Sequence, residues 1–369
     1  MKSRSLDMAV TGGENPRSAC QLASEGKTEM NSEDESSIKI DRPNFKAVIL
    51  HNVMSDWNSR DTEVSDTAMK RMRRGLMEMG YEVVLAPVRT DVAEPLAGLD
   101  PEKHIVFNWC EGLDGQPNAY DAIPPVLETM GFAYTGADAW TLMATTDKRV
   151  TKEYLLKHHV STPLAKVFTT ADRDGWNCYP ALVKPALEHC SHGITPEAIV
   201  DTPEQLEERV QYVLDTWHQP ALVEEFIDGP EFNVSLWGNG RLSVLPLAML
   251  DFNAFSDYHE RIVSYDAKWD PNTEAFRLNP VVCPAPIEPE LKARIEKTAK
   301  EAYKALRLRD YGRIDIRVRD GIPYVLDVNS NPDITLEGGF ARSARTAGFD
   351  YAQTIARILY FASKRLPVV

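Results

Sequence analysis

A chain of 369 residues with 43% hydrophobic content is too long for one small core and fits two or three packed units. Its formal charge of −14 disfavours non-specific attraction to nucleic acid or anionic lipid, and no apolar run approaches the roughly 20 residues that span a bilayer. A local cationic pocket is still allowed, because phosphate binding needs only about two or three well-placed lysines.

The segment 1–43 is polar and aperiodic, and Asn31-Ser-Glu-Asp-Glu-Ser-Ser buries too little apolar surface to offset its ordering entropy, so it reads as a disordered extension. No basic stretch leads into an apolar core there, which argues against a secretory signal. The cysteines, Cys20, Cys110, Cys178, Cys190 and Cys283, are odd in number and form no CxxC pair. Neither a zinc site nor a disulfide framework is indicated, and a reducing, cytoplasmic setting is the simplest expectation.

Order begins with the apolar run Lys46-Ala-Val-Ile-Leu-His, a buried strand. Ala68, Met72, Leu76 and Met79 recur at helical spacing until Gly80 stops the helix. Tyr81-Glu-Val-Val-Leu-Ala and His104-Ile-Val-Phe-Asn are further strands. This β–α–β–loop–β order predicts a parallel sheet over 44–140, with ligand loops after Leu50 and Phe107. A second unit, 141–232, holds a charged helix from Asp147 to His158, the strand Ala181-Leu-Val-Lys, a helix around 203–216 and the strand Ala221-Leu-Val-Glu-Glu. The third, 233–369, holds strands near 232–237 and 242–249. An irregular stretch, 251–277, follows and has the length of a lid. A helix with Leu291, Ile295, Ala299, Ala302 and Leu306 on one face then leads into two strands joined at Asp320-Gly321.

That hairpin carries the most informative chemistry. Asp315 lies on its first strand, while Asp327 and Asn329 lie two apart on the second and so share a face. Oxygen donors converging from adjacent strands suit Mg²⁺. Lys148, and Lys184 at the end of an apolar strand, suit neutralisation of a triphosphate, with Ser191 and Gly193 in the loop that follows. Glu224 and Glu225 end another strand, and Gly229-Pro-Glu231-Phe232 comes next.

In this order, Tyr134-Thr-Gly, Asp147-Lys148, Val183-Lys184-Pro185, Val223-Glu224-Glu225-Phe226, Gly229-Pro-Glu231-Phe232, Tyr265-Asp-Ala-Lys268, Gly312-Arg313-Ile-Asp315 and Asp327-Val-Asn329-Ser-Asn-Pro332 resemble the ATP-grasp pattern of D-alanine–D-alanine ligases over about 46–365. The resemblance implies an α/β (α+β) ATP-grasp fold, an N-terminal parallel-sheet domain followed by two subdomains that grip ATP between two antiparallel sheets. It implies that Lys148 and Lys184 hold phosphates, and that Lys268 reaches the γ-phosphate. Glu224 would face the adenine, Glu225, Phe226 and Ile227 would form a hinge, and Glu231 would take the ribose. Asp315, Asp327 and Asn329 would bind Mg²⁺, two ions by the same likeness, with Mn²⁺ as an alternative; Asp327 stands where the family has a glutamate. Arg313, with a backbone amide near Asp333, would stabilise a tetrahedral oxyanion in an acyl-phosphate mechanism that releases ADP and phosphate. The partners implied are small amino-acid or carboxylate substrates, with a homodimer favoured.

The substrate pocket departs from that pattern. Asp61, with Ser65, stands where a glutamate grips the first substrate's ammonium, and Asn108-Trp-Cys-Glu111 replaces a loop that begins His-Gly. Cys190 stands for a serine, Trp269 for a lid tyrosine, and Gly338 for a serine that binds the second carboxylate. Concerted changes around one pocket point to a non-alanine substrate. The competing readings are a D-alanine–D-alanine ligase of cell-wall synthesis and, in another class, a non-catalytic ATP-binding regulatory module.

Overall fold

A computed structural model describes residues 44–116, 119–172, 175–188, 191–264 and 281–366; the extension 1–43 and the part of the lid stretch from 265 to 277 lie outside them. Three sheets follow one another along the chain.

In the first, β1 (Lys46–Asn52), β2 (Val83–Val88), β3 (His104–Trp109) and β4 (Ala133–Tyr134) run parallel in the order β2-β1-β3-β4. Helices α1 (Ser59–Glu78) and α2 (Ile123–Thr129) supply connections. The expected parallel sheet is present, although β2 starts at Val83 and not at Tyr81. The Tyr81 amide donates to the Leu76 carbonyl at 3.0 Å, which closes α1 together with Gly80 at φ 88° and keeps Tyr81 out of the strand.

Two short helices follow, α3 (Ala139–Thr146) and α4 (Lys148–Lys157). Asp147 separates them: it ends α3 and caps α4, accepting from Arg149 N at 2.9 Å. The second sheet is antiparallel, β5 (Ala165–Phe168), β6 (Ala181–Pro185), β7 (Ile199–Val200) and β8 (Ala221–Glu225) in the order β5-β8-β6-β7, with α5 (Pro203–Trp217) packed beside it.

The third sheet contains β9 (Glu231–Trp237), β10 (Ser243–Val244), β11 (Ala248–Leu250), β12 (Val281–Val282), β13 (Tyr311–Arg319) and β14 (Ile322–Asn329). Its order is β12-β11-β9-β13-β14, with β10 on β9, all antiparallel. The apolar face of α6 (Pro289–Ala305) buries Ile295, Ala299 and Ala302 against Ile314, Ile316, Val325 and Val328 of the hairpin. Helices α7 (Gly339–Thr346) and α8 (Tyr351–Ser363) close the chain, and no described helix is long and apolar enough to cross a membrane. The second sheet ends at Glu225 and the third opens at Glu231. The change of sheet therefore falls a few residues before the 232/233 division drawn from sequence, where Pro230 lacks a backbone donor.

A buried clamp accounts for Tyr134-Thr-Gly136. Asp310 is fully buried and accepts from Arg365 at 2.7 and 2.6 Å, from Asn239 Nδ2 at 2.9 Å and from Gly136 N at 2.9 Å, while Arg365 also donates to the Tyr134 carbonyl. The end of β4, the β9–β10 turn and the C-terminus meet on that one carboxylate. Asp310→Ala strands the donors in a dry site and is expected to lower stability by about 3–5 kcal/mol. Urea unfolding tests this, and a midpoint within error of the wild type's removes the clamp.

Candidate functional site

Strand β13 sets the geometry of the cleft. Gly312, Ile314, Ile316 and Val318 alternate into the core, so Arg313, Asp315, Arg317 and Arg319 face the other way. On β14 simple alternation would put Val325, Asp327 and Asn329 on one face. A bulge intervenes, since Asp315 pairs with Asp327 but Ile316 pairs with Val325. Val325 and Val328 are thereby both buried in the core, and Asp327 and Asn329 are left only partly buried beside Asp315.

Asp315 is held from three sides. Arg313 binds it through two nitrogens at 2.7 and 2.9 Å, Asn329 Nδ2 donates at 3.0 Å and Asn233 Nδ2 at 2.8 Å. Burial acts to lower the Arg313 pKa, but Asp315 outweighs it and raises the value, with Asp327 and Asp333 adding to the effect. Among the described residues no three His, Cys, Asp or Glu side chains form a metal cluster. Two carboxylates and the Asn329 amide oxygen on paired strands nevertheless fit a hard divalent cation.

Lys148 and Lys184 are both buried, as is a lysine that sequence reasoning missed, Lys152. Glu224, 1% exposed, lies between Lys184 Nζ at 2.5 Å and Lys152 Nζ at 2.7 Å. Lys152 also donates to Thr162 Oγ1 at 2.9 Å, and that hydroxyl donates to the Val325 carbonyl at 2.7 Å, which ties the second sheet to β14. Lys148 Nζ donates to the Glu188 carbonyl. Burial depresses the pKa of Lys148 and of Lys152; Lys184 presses the same way, and Asp327 and Glu224 oppose it. The lysine cluster and the carboxylate hairpin are thus near enough to act on each other electrostatically. Spacing carried a signal for Lys152: it is four residues after Lys148 in the same helix and so shares its face.

Of the residues expected to form a hinge, Glu225 ends β8, and Phe226 and Ile227 lie in the connection to β9. Phe226 and Ile227 are buried, and Phe226 N donates to the Pro180 carbonyl at 3.0 Å. Glu225 accepts from Arg319 at 2.6 Å. Glu231 accepts from Arg317 Nε at 2.9 Å. Glu224, expected at the adenine, has its carboxylate engaged by two lysines. Ser191 is half-buried, with a left-handed φ of 64°.

In the first sheet Asn52 positions the loop after β3, accepting from Glu111 N at 2.7 Å and donating to the Gly112 carbonyl at 2.8 Å. Asn108 is buried, and its Nδ2 has no hydrogen-bond partner among the described residues. Glu111 is exposed as a residue, but desolvation of its carboxyl, together with Asp333, raises its pKa. Asp333 accepts from Thr335 N at 2.8 Å and Thr335 Oγ1 at 3.0 Å. Gly338 is buried against it: a Cβ there would meet Asp333 Oδ2 at 2.8 Å and the Asp333 carbonyl at 2.9 Å. The space beside Gly338 is thus occupied by Asp333, whose own turn holds the carboxylate in place. Ser65 is half-buried on α1. The side chain of Asp61 and the whole of Cys190, Lys268 and Trp269 lie outside the described residues.

Residues 153–360 match the family model for the D-ala D-ala ligase C-terminus. The chain is 32% identical to an uncharacterized protein, y4sG, of Sinorhizobium fredii, over 79% of this chain and 85% of that protein. It is 26% identical to a D-alanine–D-alanine ligase of Maridesulfovibrio salexigens, over 85% of this chain and 98% of that one. The crystal structure of D-alanine–D-alanine ligase from Bacillus anthracis complexed with ATP superposes with a TM-score of 0.64 at 21% identity, covering 87% of this chain and 98% of that one.

Proposed function

The chain belongs to the D-alanine–D-alanine ligase family of ATP-grasp proteins, and from that premise we propose that it is an ADP-forming ligase that joins a carboxylate to an amine through an acyl phosphate. The observation that carries this reading is the buried lysine cluster Lys148, Lys152 and Lys184, tied through Thr162 to the Val325 carbonyl of β14, the strand that carries Asp327 and Asn329 beside Asp315.

In the first step a substrate carboxylate oxygen attacks the γ-phosphorus of ATP, an O–P bond forms, and the bond to the β-phosphate breaks with its electrons leaving on ADP. Lys148 and Lys184 neutralise the phosphates, and Glu224 holds Lys184 in place. In the second step an amine attacks the acyl carbon. Arg313 stabilises the tetrahedral oxyanion, and phosphate leaves with the C–O bonding electrons and takes up the proton that the amine loses. Asp315, Asp327 and Asn329 would hold Mg²⁺, as two ions on this reading, with Mn²⁺ as the alternative. Bound there, the metal supplies charge neutralisation on phosphate oxygens. Glu231 takes the ribose, Lys268 the γ-phosphate, and the active species is a homodimer.

The acceptor, in this reading, is not alanine. Asp333 lies against Gly338 at the place where the resemblance puts a hydroxyl for a substrate carboxylate, and Glu111 adds a second acidic group nearby. Like charges in one pocket disfavour a carboxylate-bearing acceptor. Gly338→Ser is expected to raise the acceptor KM at least about tenfold, because the new Cβ strikes the Asp333 backbone. Adding Asp333→Gly removes the accompanying side-chain contact, Oδ2 at 2.8 Å, but keeps the backbone one, and should recover only part of that loss. If the single variant works like the wild type, the pocket is not built this way.

The enzyme reading is tested by ADP release with Mg²⁺-ATP across a panel of amino acids and amines, with hydroxylamine added to trap acyl phosphate as hydroxamate. Tight nucleotide binding with neither ADP nor hydroxamate from any pair would favour the regulatory module. Efficient ligation of two D-alanines would restore the cell-wall reading.

A further inference from the structure

Arg317 is buried at 3% exposure on the cleft face of β13. Its three nitrogens reach three different segments. Nε donates to Glu231 Oε2 at 2.9 Å, one terminal nitrogen to the Ile227 carbonyl at 3.1 Å, and the other to the Arg261 carbonyl at 2.5 Å. The guanidinium also lies over two rings, 5.2 Å from the Phe226 centroid and 4.9 Å from that of Phe252. Hinge, start of β9 and the stretch after β11 therefore converge on one side chain. The backbone there is equally close: a Cβ on Gly229 would lie 2.0 Å from the Val318 carbonyl oxygen, so the hinge rests directly on β13.

Glu231 spends only one oxygen on this contact, and its Oε1 has no hydrogen bond among the described residues. A carboxylate fixed through one oxygen in a charge-assisted bond presents the other in a set direction. Buried ion pairs are weak devices for stability alone, but a fork bonded to three segments restricts orientation strongly.

We propose that Arg317 is a positioning residue for the nucleoside end of the cleft, orienting Glu231 and the hinge together so that the protein discriminates ATP from 2′-deoxy-ATP. This rests on the reading of Glu231 as the ribose acceptor. The pair of rings and the Arg261 carbonyl hold the guanidinium where no ammonium fits all three acceptors, so lysine is not an equivalent.

Calorimetric titration of Mg²⁺-ATP and Mg²⁺-2′-deoxy-ATP tests it without any carboxylate or amine substrate. The wild type is expected to prefer ATP about tenfold, the usual size of one hydrogen bond to a charged group. Arg317→Met should bring the ratio close to one, and Arg317→Lys should leave it in between. Should the Met variant fail to fold, the Lys variant carries the test, since it keeps the charge and loses the fork. An equal loss for both nucleotides, with the wild-type ratio kept, makes Arg317 merely structural and overturns the proposal. So does a wild type that binds both nucleotides equally. A wild type that binds neither defeats the nucleotide reading itself, a separate and earlier failure.

Discussion

Asp315→Asn is expected to reduce ADP formation by at least about a thousandfold while the protein stays folded. On the proposed function a metal corner and its paired arginine together would supply several kcal/mol of transition-state stabilisation, and roughly 1.4 kcal/mol corresponds to each tenfold. Asparagine keeps the shape but loses the charge, and it offers a second amide where Arg313 and Asn329 need acceptors. Arg313 is 8% exposed, so its cation loses its closest counter-charge in a nearly dry site. That predicts a secondary fall in stability of about 2–3 kcal/mol, well short of unfolding a typical domain. Turnover assays across Mg²⁺ concentrations, with a thermal melt on the same sample, measure both effects. Full activity in the variant removes Asp315 from the metal corner.

Glu224→Gln should give the largest loss of stability at the lysine cluster. Burial by itself would raise the carboxyl pKa; Lys152 and Lys184 overcome that and hold it at about 2. Because the folded value lies below the unfolded one, near 4.5, the contribution is fully present above pH 4.5 and is lost as pH falls towards 2. The shift corresponds to about 3 kcal/mol, and removing one partner of a buried pair gives a similar figure of about 3–5 kcal/mol. Urea titrations from pH 7 down to 3 should show an acid limb in the wild type that is weaker in the variant. Parallel curves, offset by a constant, would mean that the pair does not titrate as described.

Much of the fold was legible because periodicity speaks within one element. Ile295, Ala299 and Ala302 mark the buried side of α6, and the turn at Asp320-Gly321 joins β13 to β14 as expected. The same logic put Asp327 and Asn329 on one face, where they are. It placed the start of α4 at Asp147, where the structure has its cap, but did not anticipate α3, which the same residue ends, nor α7 and α8.

What the sequence alone determined was the order of elements, the carboxylate hairpin and the lysines that end up buried, together with enough motif spacing to identify the family. The tertiary structure decided the partnerships: Lys152 and Lys184 on Glu224, Arg317 on Glu231, Asp333 against Gly338, and Asp310 with Arg365. Spacing along a strand or helix sets which residues share a face, but it says nothing of the register between elements. A single bulge opposite Asp315 and Ile316 changes which β14 side chains reach the cleft, and only the packed sheet reveals it.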